Sequence, residues 1–329
     1  MLIDVVIVNF NSGPWLAKCL NHLRCQTTRP NTIYVVDNAS QDGSDVIPDP
    51  PDNLVVIKMP VNVGFAAGNN CALKASTAPY IALLNPDAFP EPDWLEALLR
   101  AAEDHPDMDF FGSRQVCAEN PEILDGIGDV FHVSSLAWRN GHGRRQEPAD
   151  LVEREIFSPC AAAALYRREA LDQVGGFDED YFCYFEDVDL GFRLRLCGYK
   201  ALYVPDAVVH HLGSATTGGQ RSDFSVYHGH RNRIWTYVKN MPGIWFWIFL
   251  PLHGIANFLV LLLYVFRGKA RTILRSNKDA VKGLGKMWAK RCAIQRSRVA
   301  TCADILKIVE FKVCAAKKQG RAKKQDKGR

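Results

Sequence analysis

Residues 181–200 read YFCYFEDVDLGFRLRLCGYK. Three carboxylates, Glu186, Asp187 and Asp189, follow the aromatic residues Tyr181, Phe182, Tyr184 and Phe185. Acids so placed serve one of two ends. They charge the first turn of a helix, where negative groups meet the positive end of the macrodipole. Or one of them is a general base in a half-dry pocket, where partial desolvation makes a carboxylate a stronger proton acceptor. Asp189 and Arg193, four residues apart, also fit a salt bridge along one helix face.

Other polar groups stand at the ends of apolar, β-branched runs. Asn9 and Asn11 close IDVVIVNF. Asp37 and Asn38 end TIYVVDNAS, where a carboxylate accepts from the imide N–H of uracil or thymine, or closes an Asx turn. Asn85 and Asp87 end YIALLNPDA. Asp87 suits a hard divalent cation bridged to phosphates, or a simple Pro-Asp turn. His210 and His211 follow another strand-like run beside a loop of small residues, which suits a ligand better than a lone histidine does. Asn62, Gly64, Gly68, Asn69 and Asn70 make a glycine- and amide-rich strand-to-helix turn, or only a helix start.

The elements that must position these residues alternate. IDVVIVNF, TIYVVDNAS, LVVIKMP and YIALLNPDA read as strands. NSGPWLAKCLNHLRCQ, the stretch after NVGF and PEPDWLEALLRAAEDHP read as helices between and after them. Alternation predicts an α/β fold with one Rossmann-like, doubly wound and mostly parallel sheet. Crossover topology gathers parallel strand ends on one edge, where ligands bind such sheets. LYRREALDQVGGFDED reads as a helix ending at Gly175-Gly176. Residues 111–160 are irregular and rich in Gly, Arg, His and aromatics, as an acceptor side would be.

Of 329 residues, 47% are hydrophobic and 23% charged, which is ordinary for a globular protein. Ten cysteines, without a CxxC pair or zinc-finger spacing, lead to the expectation of a reduced, cytosolic setting. MLIDVVIVNF reads as a strand rather than a signal peptide. The net charge of +4 conceals a split. After residue 266 there are 20 Lys/Arg and 4 Asp/Glu, a tail of +16 on a body of −12. Such a tail needs an anionic partner, and its few stacking residues point to lipid rather than nucleic acid.

Residues 244–266 carry no charged side chain under neutral His253. As a helix they would reach about 35 Å at ~1.5 Å per residue, against a hydrocarbon core of about 30 Å. A simple crossing would separate the body from its basic tail, which prefers the cytoplasmic side. Pro251, His253, Gly254 and Asn257 weaken the middle. The expectation is therefore a broken, re-entrant or interfacial element, with the basic tail on anionic headgroups. The competing reading is a buried core helix.

The order VVIVNFNSG, VVDNASQDGS, NVGFAAGNN, LLNPDA, GGFDEDYFCYFEDVDLGFRLRLCGYK and VVHHLGS closely resembles glycosyltransferase family 2, over about residues 3–240. It is most similar to bacterial rhamnosyltransferase-like members. The GGFDE…EDVDLGFR stretch is the most diagnostic. The resemblance implies a GT-A catalytic domain over 1–240; the apolar run and the charge split add an apolar membrane-associated or re-entrant helical segment over 241–275 and a basic helical tail over 276–329 with a disordered end. The resemblance also implies inverting transfer of a sugar, rhamnose or another deoxyhexose, from a dTDP- or UDP-linked donor to a lipid-linked or polysaccharide acceptor. Mg²⁺ or Mn²⁺ would assist at the cytoplasmic membrane face.

By the same resemblance Asp187 is the catalytic base. Asn9, Asn11, Asp37, Asn38, Asn62, Gly68 and Asn85 hold the nucleotide sugar, and Asp87 and His210 hold the metal, with His211 as rival. Glu186, Asp189, Arg193 and His211 serve the acceptor or support the site. The chain departs from a strict DXD motif, since Asn85 stands in place of the first acid and leaves fewer charged ligands. A nucleotidyltransferase would want a basic phosphate loop, which NFNSGPW lacks. The reading from a different class is a catalytically inactive, membrane-associated assembly factor. The acids at 37, 87 and 187 and the histidine at 210 count against it.

Overall fold

The β-branched run at the start of the chain forms strand β1 (Ile3–Asn9), buried at every residue. Strands without in/out alternation belong to a sheet covered on both faces, and the elements that follow supply the cover. Helix α1 (Trp15–Arg24), β2 (Thr32–Asp37), β3 (Leu54–Lys58), α2 (Gly64–Ala75), β4 (Tyr80–Leu84) and the short β5 (Ala88–Pro90) come next. Helix α3 (Trp94–Asp104) leads to β6 (Phe110–Cys117) and then to β7 (Asn120–Gly126), β8 (Asp129–Phe131), β9 (Ala137–Arg139) and β10 (Arg154–Ile156). The chain returns through β11 (Ala163–Arg167), α4 (Arg168–Val174), α5 (Glu186–Leu196) and the long β12 (Ala201–His211). Helices α6 (Asp223–Asn240), α7 (Gly243–Phe266), α8 (Ala270–Lys282), α9 (Leu284–Ser297) and α10 (Cys302–Ile308) follow. The structure is a computed structural model that describes residues 2–213 and 222–312. The expected disordered end of the tail falls on residues outside the described ones.

The main sheet runs β10-β12-β6-β11-β4-β1-β2-β3, with β5 added to β12 and β7 to β6. Strands β3, β2, β1 and β4 are mutually parallel, joined by the crossover helices α1 and α2 and, between β2 and β3, by the loop 38–53. The second half is mixed, which corrects the expectation of a mostly parallel sheet. Strand β11 runs antiparallel to both β4 and β6, and β10, β5 and β7 are antiparallel to their partners. The long excursion after β6 brings the chain back from the opposite end of the sheet, so no crossover helix is needed. Residues 165–167, expected in a helix, belong to this central strand, and the helix begins at Arg168.

Helices α1 and α3 seal one face through Leu16, Leu20, Leu23, Trp94, Leu95 and Leu98. Helices α2, α4 and α5 seal the other through Ala72, Leu73, Leu171, Leu190 and Leu194. A third core, with Phe131, Phe157, Phe192, Trp235, Tyr237 and Met287, fastens α6 and α9 to the catalytic body. At Gly68 a Cβ would lie 2.9 Å from Val8 Cγ1, so glycine lets α2 settle against β1.

Helix α7 is continuous over 24 residues with Pro251 inside it, which corrects the expectation of a broken or re-entrant segment. Its polar residues face the protein. His253 Nδ1 sits 2.7 Å from Ser135 Oγ and its ring stacks on Tyr237, while Asn257 Nδ2 lies 2.8 Å from His253 Nε2. Ile244, Trp247, Ile255, Phe258, Leu259 and Phe266 are exposed. The helix is long and apolar enough to cross a membrane, and its most apolar stretch is only 6% buried, so it is not a core helix. Helix α8 beside it buries Ile273, Ser276 and Ala280 and turns Arg271, Arg275, Lys278 and Lys282 outward.

Candidate active site

The strand ends meet as the parallel topology demands. The β1–β2 register sets Asn9 beside Asp37, and Asn9 Nδ2 donates to Asp37 Oδ1 at 2.8 Å. Asn9 also donates to Ser40 and Ser44, and Asp37 Oδ2 accepts from the Ser40 amide. Asn11, at φ 49°, accepts from the Gln41 amide and ties the two loops together. Asn38 Nδ2 donates to the Gly64 carbonyl at 3.0 Å, and its buried Oδ1 has no partner among the described residues. Asn62 Oδ1 accepts from the Gly64 amide at 2.9 Å.

A cavity of about 990 Å³ opens above this edge. Asn38, Asn62, Gly64, Asn85, Asp87, Glu186, Asp187 and His211 line it. Asn9, Asn11, Asp37 and Gly68 stand behind that lining, where they shape its wall. Asn69 and Asn70 work elsewhere: Asn70 brackets Phe177 through both its amide groups and so anchors the turn that leads to the acids.

Adjacent residues on a strand point to opposite faces, so only one of His210 and His211 can reach Asp87. The β5–β12 register pairs His211 with Ala88, next to Asp87. His211 Nε2 lies 3.3 Å from Asp87 Oδ1, while His210 Nε2 turns to Glu91 Oε1 at 2.6 Å. The choice of His210 for the metal side is therefore corrected in favour of His211. Behind it, Nδ1 bonds Asp125 Oδ2 at 2.7 Å, which fixes the ring as carboxylates commonly fix metal-facing histidines. Burial pulls the His211 pKa down, but Asp125 and Asp87 outweigh that and hold it at about 9.

The acids of the aromatic stretch answer to both readings. Glu186 and Asp187 begin α5, and both line the cavity. Asp187 is half-buried and opens onto the cavity, with Oδ1 accepting from the Val188 amide at 2.8 Å and Oδ2 from the Ala161 amide at 3.3 Å. Burial raises its pKa above the ordinary carboxylate value, against the pull of those amides and of Arg139. Burial and then the Asp187 charge push Glu186 well up, and its Oε2 has no partner among the described residues.

Asp189 and Arg193 do not line this cavity; they form the helix salt bridge that their spacing also fitted. Asp189 is fully buried, bonded to Arg193 Nε at 2.8 Å, Lys239 Nζ at 2.7 Å, Asn240 and Tyr181. With Asp178, which Lys239 also holds, the cluster staples α5 to α6.

Asp129 and Arg139 escaped the sequence reading. Both line the cavity, from the two-stranded β8–β9 sheet. Burial and then the neighbouring Asp187 push Asp129 well above the ordinary carboxylate range. Arg139, ion-paired with Asp125, is the cation beside the two acids. Their sequence signal is slight: GDVF and AWRN carry no motif spacing.

The sequence pattern of glycosyl transferase family 2 matches residues 4–175, just over half of the chain. The chain belongs to that family. It is a glycosyltransferase. It is 31% identical over 258 residues to an N-acetylglucosaminyl-diphospho-decaprenol L-rhamnosyltransferase of Mycobacterium tuberculosis, covering 69% of this chain and 81% of that one. It is 29% identical over 229 residues to the uncharacterized glycosyltransferase YwdF of Bacillus subtilis, covering 68% of this chain and 78% of that one. Its fold is similar to the crystal structure of GalNAc-T7 with UDP, GalNAc and Mn²⁺, at a TM-score of 0.53 and 16% identity. That similarity covers 64% of this glycosyltransferase and only 43% of the other chain. The mixed sheet is that of a GT-A fold.

Asp87 and His211 together offer donor types that suit a divalent cation, a carboxylate and an imidazole nitrogen. The His211 Nε2 is buried without a hydrogen-bond partner among the described residues and faces a carboxylate, with Asp125 orienting the ring. Among the described residues no group of three or more His, Cys, Asp or Glu surrounds a common point. The remaining ligand positions would fall to diphosphate oxygens and water, as Mg²⁺ commonly allows.

Proposed function

We propose that this glycosyltransferase inverts the anomeric centre as it moves a deoxyhexose such as rhamnose from a dTDP- or UDP-linked donor to a hydroxyl of a lipid-linked or polysaccharide acceptor. The observation that carries the proposal is Asp187, a carboxylate of raised pKa in a cavity shared by the strand-end amides and by Val260, Leu263 and Tyr264 of α7. The name of the Mycobacterium relative supports a deoxyhexose and a lipid diphosphate acceptor.

Asn38, Asn62 and Asn85 hold the nucleotide end of the donor, with Asp37 and Asn9 fixing the loop behind them. Asp187 takes the proton of the acceptor hydroxyl as that oxygen bonds to the anomeric carbon. The bond from that carbon to the diphosphate breaks on the opposite side, and its electron pair leaves with the nucleotide diphosphate. One displacement gives inversion. Asp87 and His211 would hold Mg²⁺ or Mn²⁺, whose chemistry is to offset charge on the departing diphosphate. Asp129 and Glu186 face the acceptor beside the base, and the Arg139 charge favours the ionised form of Asp187. The exposed apolar face of α7 and the cationic face of α8 seat the enzyme on the cytoplasmic face of an anionic membrane.

The test is a panel of nucleotide sugars incubated with the protein in anionic liposomes, with Mg²⁺ or Mn²⁺ and a membrane extract as acceptor source. Release of nucleotide diphosphate from a dTDP- or UDP-deoxyhexose, dependent on the extract, is expected. Release only from hexose donors would overturn the deoxyhexose assignment, and silence across the panel would overturn the transfer reading.

A further inference from the structure

One cation in the cavity has no acid to answer it. Arg233 of α6 lines the cavity and is 5% exposed. Among the described residues no carboxylate lies within ion-pair distance of it, and its Nε has no hydrogen-bond partner. Its Nη2 lies 3.0 Å from His230 Nδ1 and donates to Asn257 Oδ1 of α7. Those neighbours aim the guanidinium without neutralising it. Burial draws its pKa down to about 10, and the same burial with the Arg233 charge holds His230 neutral, near 4. A buried charge without a counter-ion is costly, and a chain that retains one has a ligand to answer it.

The surroundings say which ligand. Beside Arg233 the cavity wall is apolar, made by Val226, Val260 and Leu263. Leu263 lines the cavity and stands one helical turn from Leu259 and Phe266, which are exposed and outside the cavity lining, so the wall continues into the helix's apolar face. The strand-end amides, Asn38, Asn62 and Asn85, come from other elements and serve the donor.

We infer that Arg233 binds the diphosphate of a prenyl-linked acceptor, with the lipid leaving the cavity along α7. The sugar next to that diphosphate then reaches Asp187 from the α6–α7 side. The inference rests on the proposed function for its acceptor, but its binding test needs no turnover. Guanidinium recognises a diphosphate with paired donors, and the apolar wall accepts the first prenyl units.

The test is calorimetric binding of farnesyl diphosphate, farnesol, inorganic pyrophosphate and UDP to the full chain in mild detergent. It compares wild type, Arg233→Met and Arg233→Lys. Farnesyl diphosphate is expected to bind wild type and to lose about tenfold to a hundredfold in affinity in Arg233→Met, the scale of a charged hydrogen bond. Arg233→Lys should keep most of the affinity. Farnesol and UDP should bind both proteins alike, and pyrophosphate should bind more weakly than farnesyl diphosphate. Arg233→Met should melt at or above the wild-type temperature, because an unpaired buried charge has gone. A fall in melting temperature with unchanged farnesyl diphosphate binding would make Arg233 structural and overturn the inference. So would absence of binding to wild type, or a loss confined to UDP, which would assign Arg233 to the donor. If the nucleotide-sugar panel is silent while Arg233-dependent binding persists, the transfer reading falls and the subsite stands.

Discussion

The residue that should matter most without touching substrate is Asn232 of α6. Phe182, Tyr184 and Phe185 lead into the base with φ of 66°, 67° and 68°, a region bulky side chains avoid. Each costs about 1–2 kcal/mol there, so the loop stores on the order of 3–6 kcal/mol. Asn232 is fully buried, and its Nδ2 donates to the Tyr181, Cys183 and Tyr184 carbonyls at 2.9, 3.0 and 2.7 Å. Arg231 supports only the first part, at the Asp180 and Tyr181 carbonyls. Asn232→Leu removes the donor and leaves buried carbonyls at about 1–3 kcal/mol each, enough to release the strained turn. Glu186 and Asp187 follow directly, and a shift of about 1 Å in the base costs on the order of 10²-fold in rate. The expected result is a kcat about a hundredfold lower in a nucleotide diphosphate release assay, with donor KM little changed and the fold intact by circular dichroism. Asn232→Asp, which keeps the shape and loses the donors, should behave alike. A folded Asn232→Leu enzyme within about threefold of wild type, under 1 kcal/mol in barrier, would refute the clamp.

Other outcomes follow from the same geometry. His211→Ala should raise the Mn²⁺ concentration needed for half-maximal turnover at least about tenfold, whereas His210→Ala should leave it near wild type; a metal titration separates them. Lys239→Met takes the shared cation from Asp178 and Asp189, which keep Lys290 and Arg193, and should destabilise the fold by about 1.5–3 kcal/mol in a denaturant titration. Transfer needs ionised Asp187, so kcat/KM should fall as pH drops through its raised pKa. Arg139 lowers that pKa, so Arg139→Gln should move the acidic limb to higher pH. Ile255→Glu with Phe258→Glu puts charge on the exposed face of α7 and should weaken co-sedimentation with anionic vesicles about a hundredfold or more, the loss of two large apolar side chains.

The parallel half of the sheet was legible because its β-branched runs are separated by the helices α1 and α2 and by the polar loop after Asp37. Asn38, Asn62, Asn85 and Asp87 were legible for a related reason, since strand ends of such a sheet share an edge, whereas Asp187, at the start of α5, stood out by the aromatic run before it. Strand β11 was not, because Tyr166 and Arg167 run straight into α4 without a turn signal. The choice between His210 and His211 depends on the register of β12 against β5, a long-range pairing that local pattern does not carry. Asp129 and Arg139 lie in short strands whose contacts come from distant chain. Asp189 and Arg193 were equally open to a bland reading as a helix salt bridge, and the structure takes it. In α7, His253 and Asn257 looked like breaks in an apolar run, yet they face Ser135 and Arg233 and leave the helix whole.

The central claim is that Asp187, and not the neighbouring Asp129, takes the proton. Single-turnover transfer from the donor that the nucleotide-sugar panel identifies should be measured for wild type, Asp187→Asn and Asp129→Asn. The account predicts a loss of about 10²-fold or more in Asp187→Asn, the usual scale of a missing general base, with Asp129→Asn losing less than about tenfold. Near-normal transfer by Asp187→Asn, or the larger loss in Asp129→Asn, would contradict it.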